Sequence, residues 1–228
     1  MKNIQLLTYA LLLVVISALG SCGNDKNLDQ DIYLKYQTIT DLELPFEEQW
    51  YTATGGRTHL EGRHHFRSRS ERYAYDFLIE IDGRIRTGDG SKNEDHHCFG
   101  KRLNAPGAGK IIAMVNDVED NQPGVVNENQ GGGNYIIIDH LNRESSVMAH
   151  FKKGSIIVSV GDMVTQGQEV GQTGNSGAST APHLHYHLQG TSGDLTGVGL
   201  PAQFLDYIQD DVLLERGEPV TTQKVRKN

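Results

Sequence analysis

From residue 109 to residue 189 the sequence turns back on itself at short intervals. Strand-like runs "GKIIAMVNDV", "NYIIIDH", "SSVMAHF", "SIIVSVGD", "QEVGQTG" and "HLHYHLQ" follow one another, with glycine-bearing turns between them. Short runs with this punctuation are what strands that double back require. The chain is therefore expected to be all-β, an antiparallel sandwich or half-barrel. The one late segment without glycine, "PAQFLDYIQDDVLLER", has helical spacing and predicts a short C-terminal helix. The 228 residues suit one medium domain with trimmings. A formal net charge of -8 argues against a general nucleic-acid binder, which would present a basic face.

The N-terminus reads "MKNIQLLTYALLLVVISALGSCGND". One lysine precedes an apolar run from Leu6 to Leu19, short for a membrane span and suited to the core of a signal peptide. The run ends in "LGSC", which resembles a bacterial lipobox, with Cys22 as the lipidated first residue of the mature chain. An uncleaved anchor or a plain secretory signal is the alternative. The expected organisation is a signal peptide over 1–21, a tether over 22–40, a β domain over 41–210 and a tail over 211–228. The protein is expected to be exported, membrane-anchored through Cys22, and facing the periplasm or cell envelope. Cys98 is the one other cysteine, so no disulfide framework holds the fold.

"PHLHYHLQ" sets three histidines on alternate positions. On a strand, His183, His185 and His187 share one face, and Leu184, Tyr186 and Leu188 the other. His150 comes from "SSVMAHF", and Asp76 stands among aromatics in "RYAYDFLIEI". A carboxylate there is costly to bury unless a cation or metal accompanies it. Catalytic zinc takes about three His or Asp/Glu ligands and leaves one position open. The residue types are present, but a polar strand face with scattered histidines reads equally well.

"GNSGASTAPHLHYHL", with "MAHF" and "VGDMVTQGQEVG" upstream and "YAYDF" earlier, resembles the lysostaphin-type zinc metallopeptidases, which cleave peptide crosslinks in bacterial cell walls. The resemblance covers roughly residues 55–205. It implies a half-barrel of the duplicated hybrid motif type, a bound zinc ion and peptidoglycan as substrate. It implies Asp76 and His185 as zinc ligands, His183 as general base or proton shuttle, and His150 as support for the water or the oxyanion. His187 lies beyond the family's pair. It reads as a residue behind the site or, the plainer reading, as a solvated edge residue. The chain departs from the pattern four residues before Asp76, where a ligand histidine is expected and Arg72 stands. Arginine offers no lone pair. Either an upstream histidine (His59, His64 or His65) fills the place, with His65 preferred, or the domain is degenerate and acts in wall binding or amidase activation.

Other segments carry less. "VGDMVTQGQEVG" is also similar to a biotinyl hairpin but has no central lysine for cofactor attachment. His96, His97 and Cys98 are adjacent, and neighbouring side chains on an extended strand point apart, so a shared ion there is disfavoured. "GGGN" is no phosphate loop, since no helix follows. Loops near 84–100 and 119–133 are expected to wall the groove.

Overall fold

The computed structural model describes residues 33–228. The expected signal peptide, Cys22 and the start of the expected tether lie outside the described residues. The elements are β1 (Trp50–Thr54), α1 (His59–Gly62), β2 (Tyr75–Leu78), β3 (Arg102–Asn104), β4 (Gly109–Val115), β5 (Asn134–Asp139), β6 (Glu144–Phe151), β7 (Met163–Val164), β8 (Glu169–Gln172), β9 (Leu184–Gly190), β10 (Gly199–Leu200), β11 (Phe204–Gln209), β12 (Val212–Gly217) and β13 (Lys224–Lys227). Every pairing between these strands is antiparallel, as expected from their short glycine-bearing connections.

One sheet runs β12-β11-β13-β1-β2-β9-β6-β5-β4-β7, with β10 paired to β9, and a separate pair is made by β3 and β8. The middle of the large sheet, β2-β9-β6, joins the three segments that carry the candidate site residues. Leu184, Tyr186 and Leu188 point into the core, all fully buried, as the alternation of "HLHYHL" requires. Around them an aromatic cluster closes the sheet. Phe46 stacks on Trp50 with centroids 4.7 Å apart, and Tyr75 meets Phe204 edge-on at 5.6 Å.

The C-terminal helix does not form. "FLDYIQDDVLLERG" is the hairpin β11-β12, turning at Asp210 and Asp211, whose φ values are 46° and 66°. Aspartate tolerates this left-handed region better than most residues, and a two-residue turn of this kind matches strand twist. Asp206, with φ 46°, breaks the alternation within β11, so that Phe204 and Tyr207, three residues apart, are both fully buried. That i, i+3 spacing is what resembled a helix.

The boundaries differ from expectation too. Residues 211–228 supply β12 and β13, and β13 pairs with β1, Trp50 opposite Val225. The packed domain also starts before residue 41. Glu144, fully buried, accepts hydrogen bonds from Tyr36 Oη (2.8 Å), Ile39 N (2.8 Å), Thr40 N (2.7 Å) and Thr40 Oγ1 (2.5 Å). Arg57 donates to the carbonyls of Tyr33, Leu34 and Tyr36 and pairs with Glu218. The end of the expected tether is thus strapped to the sheet.

Candidate metal centre

Register brings the acid and the second histidine together. Asp76 on β2 is the direct partner of His185 on β9, and His185 is the partner of Ala149 on β6. His185 Nδ1 lies 3.3 Å from Asp76 Oδ1. His65 arrives from a separate direction. Thr58 caps the single turn α1 in a capping box with Glu61, and a 3-10 turn over His65–Arg67 follows. That turn drops His65 onto Asp76, with Nε2 3.0 Å and 2.9 Å from the two carboxylate oxygens. Arg72, where a ligand was expected, faces away. Its Nε donates to the Phe66 carbonyl at 3.3 Å and its guanidinium lies 5.6 Å from the centre of the Phe66 ring. The residue that cannot bind metal pins the turn that delivers His65.

The neighbouring His64 also reaches the rim, with Nε2 3.7 Å from Asp76 Oδ2 and a mostly exposed side chain. His64, His65 and Asp76 offer ligand atoms within 4.8 Å of one another. His59 instead packs edge-on against Phe66.

Hydrogen bonding fixes which imidazole nitrogens are free. His183 Nδ1 lies 2.9 Å from the Ala181 carbonyl, which can only accept, so Nδ1 carries the proton. Its Nε2 then turns a lone pair toward Asp76 Oδ1, 3.5 Å away. His65 has Glu71 Oε2 3.6 Å from its Nδ1, an ion-pair distance, with Nε2 on Asp76. Imidazole nitrogens and carboxylate oxygens thus converge on a small volume. Such a set is stable with a cation among its members, either a proton or a metal ion. Burial opposes charge on His65, yet the Asp76 carboxylate beside it lifts its pKa to about 9. Burial likewise works against the Asp76 carboxylate, but His65, His185 and His183 hold its pKa well below the usual range. The donor set fits a divalent ion that prefers nitrogen and oxygen ligands.

His150 comes into the site through a bulge. On β6, Phe151 pairs with Asn134 and Ala149 with Tyr135, which leaves His150 as the extra residue, with φ 63°. Alternation alone would point it away from Ala149's face. The bulge turns its ring to 4.8 Å from that of His183 and 5.8 Å from that of His185. Its Nδ1 donates to the Ser176 carbonyl at 2.8 Å, leaving Nε2 as the free nitrogen. Burial, with His183 and His185 nearby, keeps its pKa well below the ordinary value. Ser176 is held in turn by a backbone contact of the two glycine loops. A Cβ on Gly133 would fall 2.4 Å from the Ser176 carbonyl carbon, so no side chain fits there.

The site sits in a groove with two arms. One, about 690 Å³, is lined by Leu78, Ile85, Val126, Glu128 and Pro182 beside the site residues. The other, about 320 Å³, runs past Gly131, Gly132 and Leu195. Both arms share His64, His65, His150 and His185. The two expected wall loops contribute Ile85 and His96, and Val126 and Glu128. His96 and Cys98 do not converge. His96 Nε2 meets the Gly90 carbonyl at 3.4 Å, and the Cys98 thiol meets the Pro182 carbonyl at 3.1 Å.

Of the two readings of His187, the solvated edge residue fails, and the residue behind the site fits. His187 is 2 % exposed, and its Nδ1 lies 2.9 Å from His185 Nε2. Glu71 beside His65 escaped notice. Its position five residues before Asp76, next to Arg72, was the available signal.

Residues 98–195 match the sequence profile described as Peptidase family M23. The chain is similar to Peptidoglycan DD-endopeptidase ShyA of Vibrio cholerae serotype O1, 45% identical over 56 residues that make up 25% of this chain and 13% of that protein. It is similar to lysostaphin of Staphylococcus simulans, 44% identical over 59 residues, 25% of this chain and 12% of that protein. The matched stretches are thus a small part of these curated relatives. Among solved structures, a zinc containing peptidase from Vibrio cholerae aligns with 72% of this chain and 40% of its own, at 19% identity and a TM-score of 0.44.

Proposed function

We propose, from the premise that this chain carries a peptidase family M23 domain, that it is a zinc-dependent endopeptidase acting on peptide bonds of peptidoglycan crosslinks or stem peptides. The observation that carries this reading is the convergence of His65 Nε2, His185 Nδ1 and His183 Nε2 on the Asp76 carboxylate, in a groove open on both sides. Asp76, His65 and His185 would hold the ion. Zinc supplies Lewis acidity there, lowering the pKa of a water molecule and polarising the carbonyl under attack.

The chain's own residues do the rest. His183, its Nδ1–H fixed on the Ala181 carbonyl, takes the water's proton at Nε2 and returns it to the leaving amine. His150, fixed through Nδ1 on Ser176, accepts a hydrogen bond from the water at Nε2 and donates there only once protonated. Its depressed pKa suits the first role in the resting enzyme. The groove's apolar walls, Ile85 and Val126 on one side and Leu195 on the other, position the peptide across the centre. In the degenerate alternative the ligand place would stay vacant, whereas His65 stands on Asp76. On this reading Cys22 acyl chains would hold the enzyme at the membrane, which radiolabelled-lipid incorporation with Cys22→Ser as control would test.

Zinc content and hydrolysis of purified cell-wall sacculi, measured side by side, test the enzyme. The parent should hold about one zinc per chain. His183→Ala should keep the zinc and lose roughly 10²–10⁴-fold in rate. His65→Ala should lose both. A His65→Ala variant with normal zinc and hydrolysis removes this residue from the site. No zinc in the parent removes the reading.

A further inference from the structure

The proposed mechanism uses two of the three alternating histidines and leaves His187 aside. His187 is as buried as the core, and it stands in a row of hydrogen bonds that leads away from the site. Its Nδ1 is 2.9 Å from His185 Nε2, its Nε2 is 3.4 Å from Gln189 Oε1, and Gln189 Nε2 is 2.8 Å from the Asp194 carbonyl.

The direction of the row follows from its far end. A carbonyl only accepts, so the Gln189 amide nitrogen donates to Asp194. Gln189 Oε1 must then accept, so His187 carries its proton on Nε2. Neutral His187 accepts on Nδ1, and His185 donates from Nε2. The lone pair of His185 is left on Nδ1, the atom 3.3 Å from Asp76 Oδ1. The loop after β9 closes on this row where Gly197 lies. A Cβ there would sit 2.7 Å from Gln189 Cδ and 2.5 Å from the Gly190 carbonyl oxygen. The same loop lines the groove through Leu195.

We propose that His187, anchored by Gln189, is a positioning residue that holds His185 in the tautomer whose Nδ1 lone pair faces Asp76, and so sets how tightly the site keeps its zinc. The inference rests on the function proposed above. A histidine ligand is ordinarily steered by a partner on its other ring nitrogen, and loss of that partner costs roughly 10–100-fold in metal affinity. Here the partner is an imidazole, itself steered by an amide.

Competition titration of the full metal-free chain against a chromophoric chelator gives the zinc dissociation constant, and thermal unfolding of the same metal-free samples gives the structural control. His187→Phe should weaken zinc binding roughly 10–100-fold, and His187→Gln, which keeps an acceptor for His185, should stay within about threefold of the parent. Gln189→Leu should weaken binding by a few-fold with His187 in place, and it decides the matter if His187→Phe does not fold. The metal-free midpoints of the folded variants should stay near the parent's. Equal affinities for parent and His187→Phe overturn the inference, as does a His187→Gln variant as weak as His187→Phe, or an unchanged Gln189→Leu where it is the deciding variant. A parent that binds zinc in those outcomes leaves the enzyme reading standing, whereas a parent that binds none overturns both.

Discussion

Arg72 occupies a ligand position without the means to be a ligand, and its side chain has another task. It holds the Phe66 carbonyl and ring, and Phe66 is the neighbour of His65 in the same turn. A hydrogen bond from a charged donor is worth about 1.5–3 kcal/mol. This one is partly exposed, so Arg72→Ala should weaken zinc binding roughly tenfold, about 1.4 kcal/mol. Unchanged affinity in a chelator titration would mean that the turn holds its shape without Arg72. Asp76, His150, His183 and His185 were legible through the family resemblance; alternation in "HLHYHL" set His183 and His185 on one face, but it does not predict the bulge that brings His150 to them. His65 was legible only as the preferred one of three candidates, since its approach depends on a turn rather than a register. The burial of His187 was legible only as the less favoured of two readings. It depends on the loop after β9 covering that end of the strand, and alternation says which side a residue faces but not what lies on top of it.

Elements show the same division. The strands from β4 to β9 follow the glycine punctuation, except that "SIIVSVGD" forms no strand, and only the two-residue β7 (Met163–Val164) follows it. The C-terminal segment was misread because Asp206 adopts a left-handed conformation inside a strand, giving strand residues a helical spacing. The consequence for the site is direct. β13 pairs with β1, β1 with β2, and β2 carries Asp76. Deleting residues 211–228 should therefore give an insoluble or unfolded product, scored by circular dichroism; a cooperatively folded truncated chain would contradict the sheet order. Glu144 offers a finer test. It sits at the start of β6 as a buried acceptor of several donors from the strap. Glutamine there would present donors to donors. Glu144→Gln should cost about 2–4 kcal/mol, on the scale of charged hydrogen bonds lost and one buried group left unpaired. Denaturant unfolding with an unchanged midpoint would show that the strap contributes little.

At the scale of the whole molecule, buried neutral imidazoles set the response to acid. Burial lowers the pKa of His140, far from the groove, while its Nδ1 donates to the Ala108 carbonyl at 2.8 Å and its Nε2 meets Ser146 Oγ at 2.8 Å. Burial lowers His150, His183 and His187 as well. Below the unfolded value of about 6.5, the unfolded chain takes up protons that these folded imidazoles refuse, so stability falls as pH falls. The thermal midpoint should drop between about pH 6.5 and 5, and His140→Gln should remove part of that slope. A midpoint that is flat or rises on acidification across this range would contradict the assignment.

The strap gives the molecule a mechanical property as well. Tension applied to the chain ahead of Tyr33 meets Arg57 and its Glu218 partner first, then the Glu144 clasp, before it reaches β1. Glu144 and His150 stand six residues apart on one strand, roughly 20 Å at the rise of extended chain. The clasp thus works as strain relief, taking a pull at the end of β6 that is remote from the bulge holding His150. A pull on the chain ahead of Tyr33 is borne far from His150, and the bulge keeps its geometry.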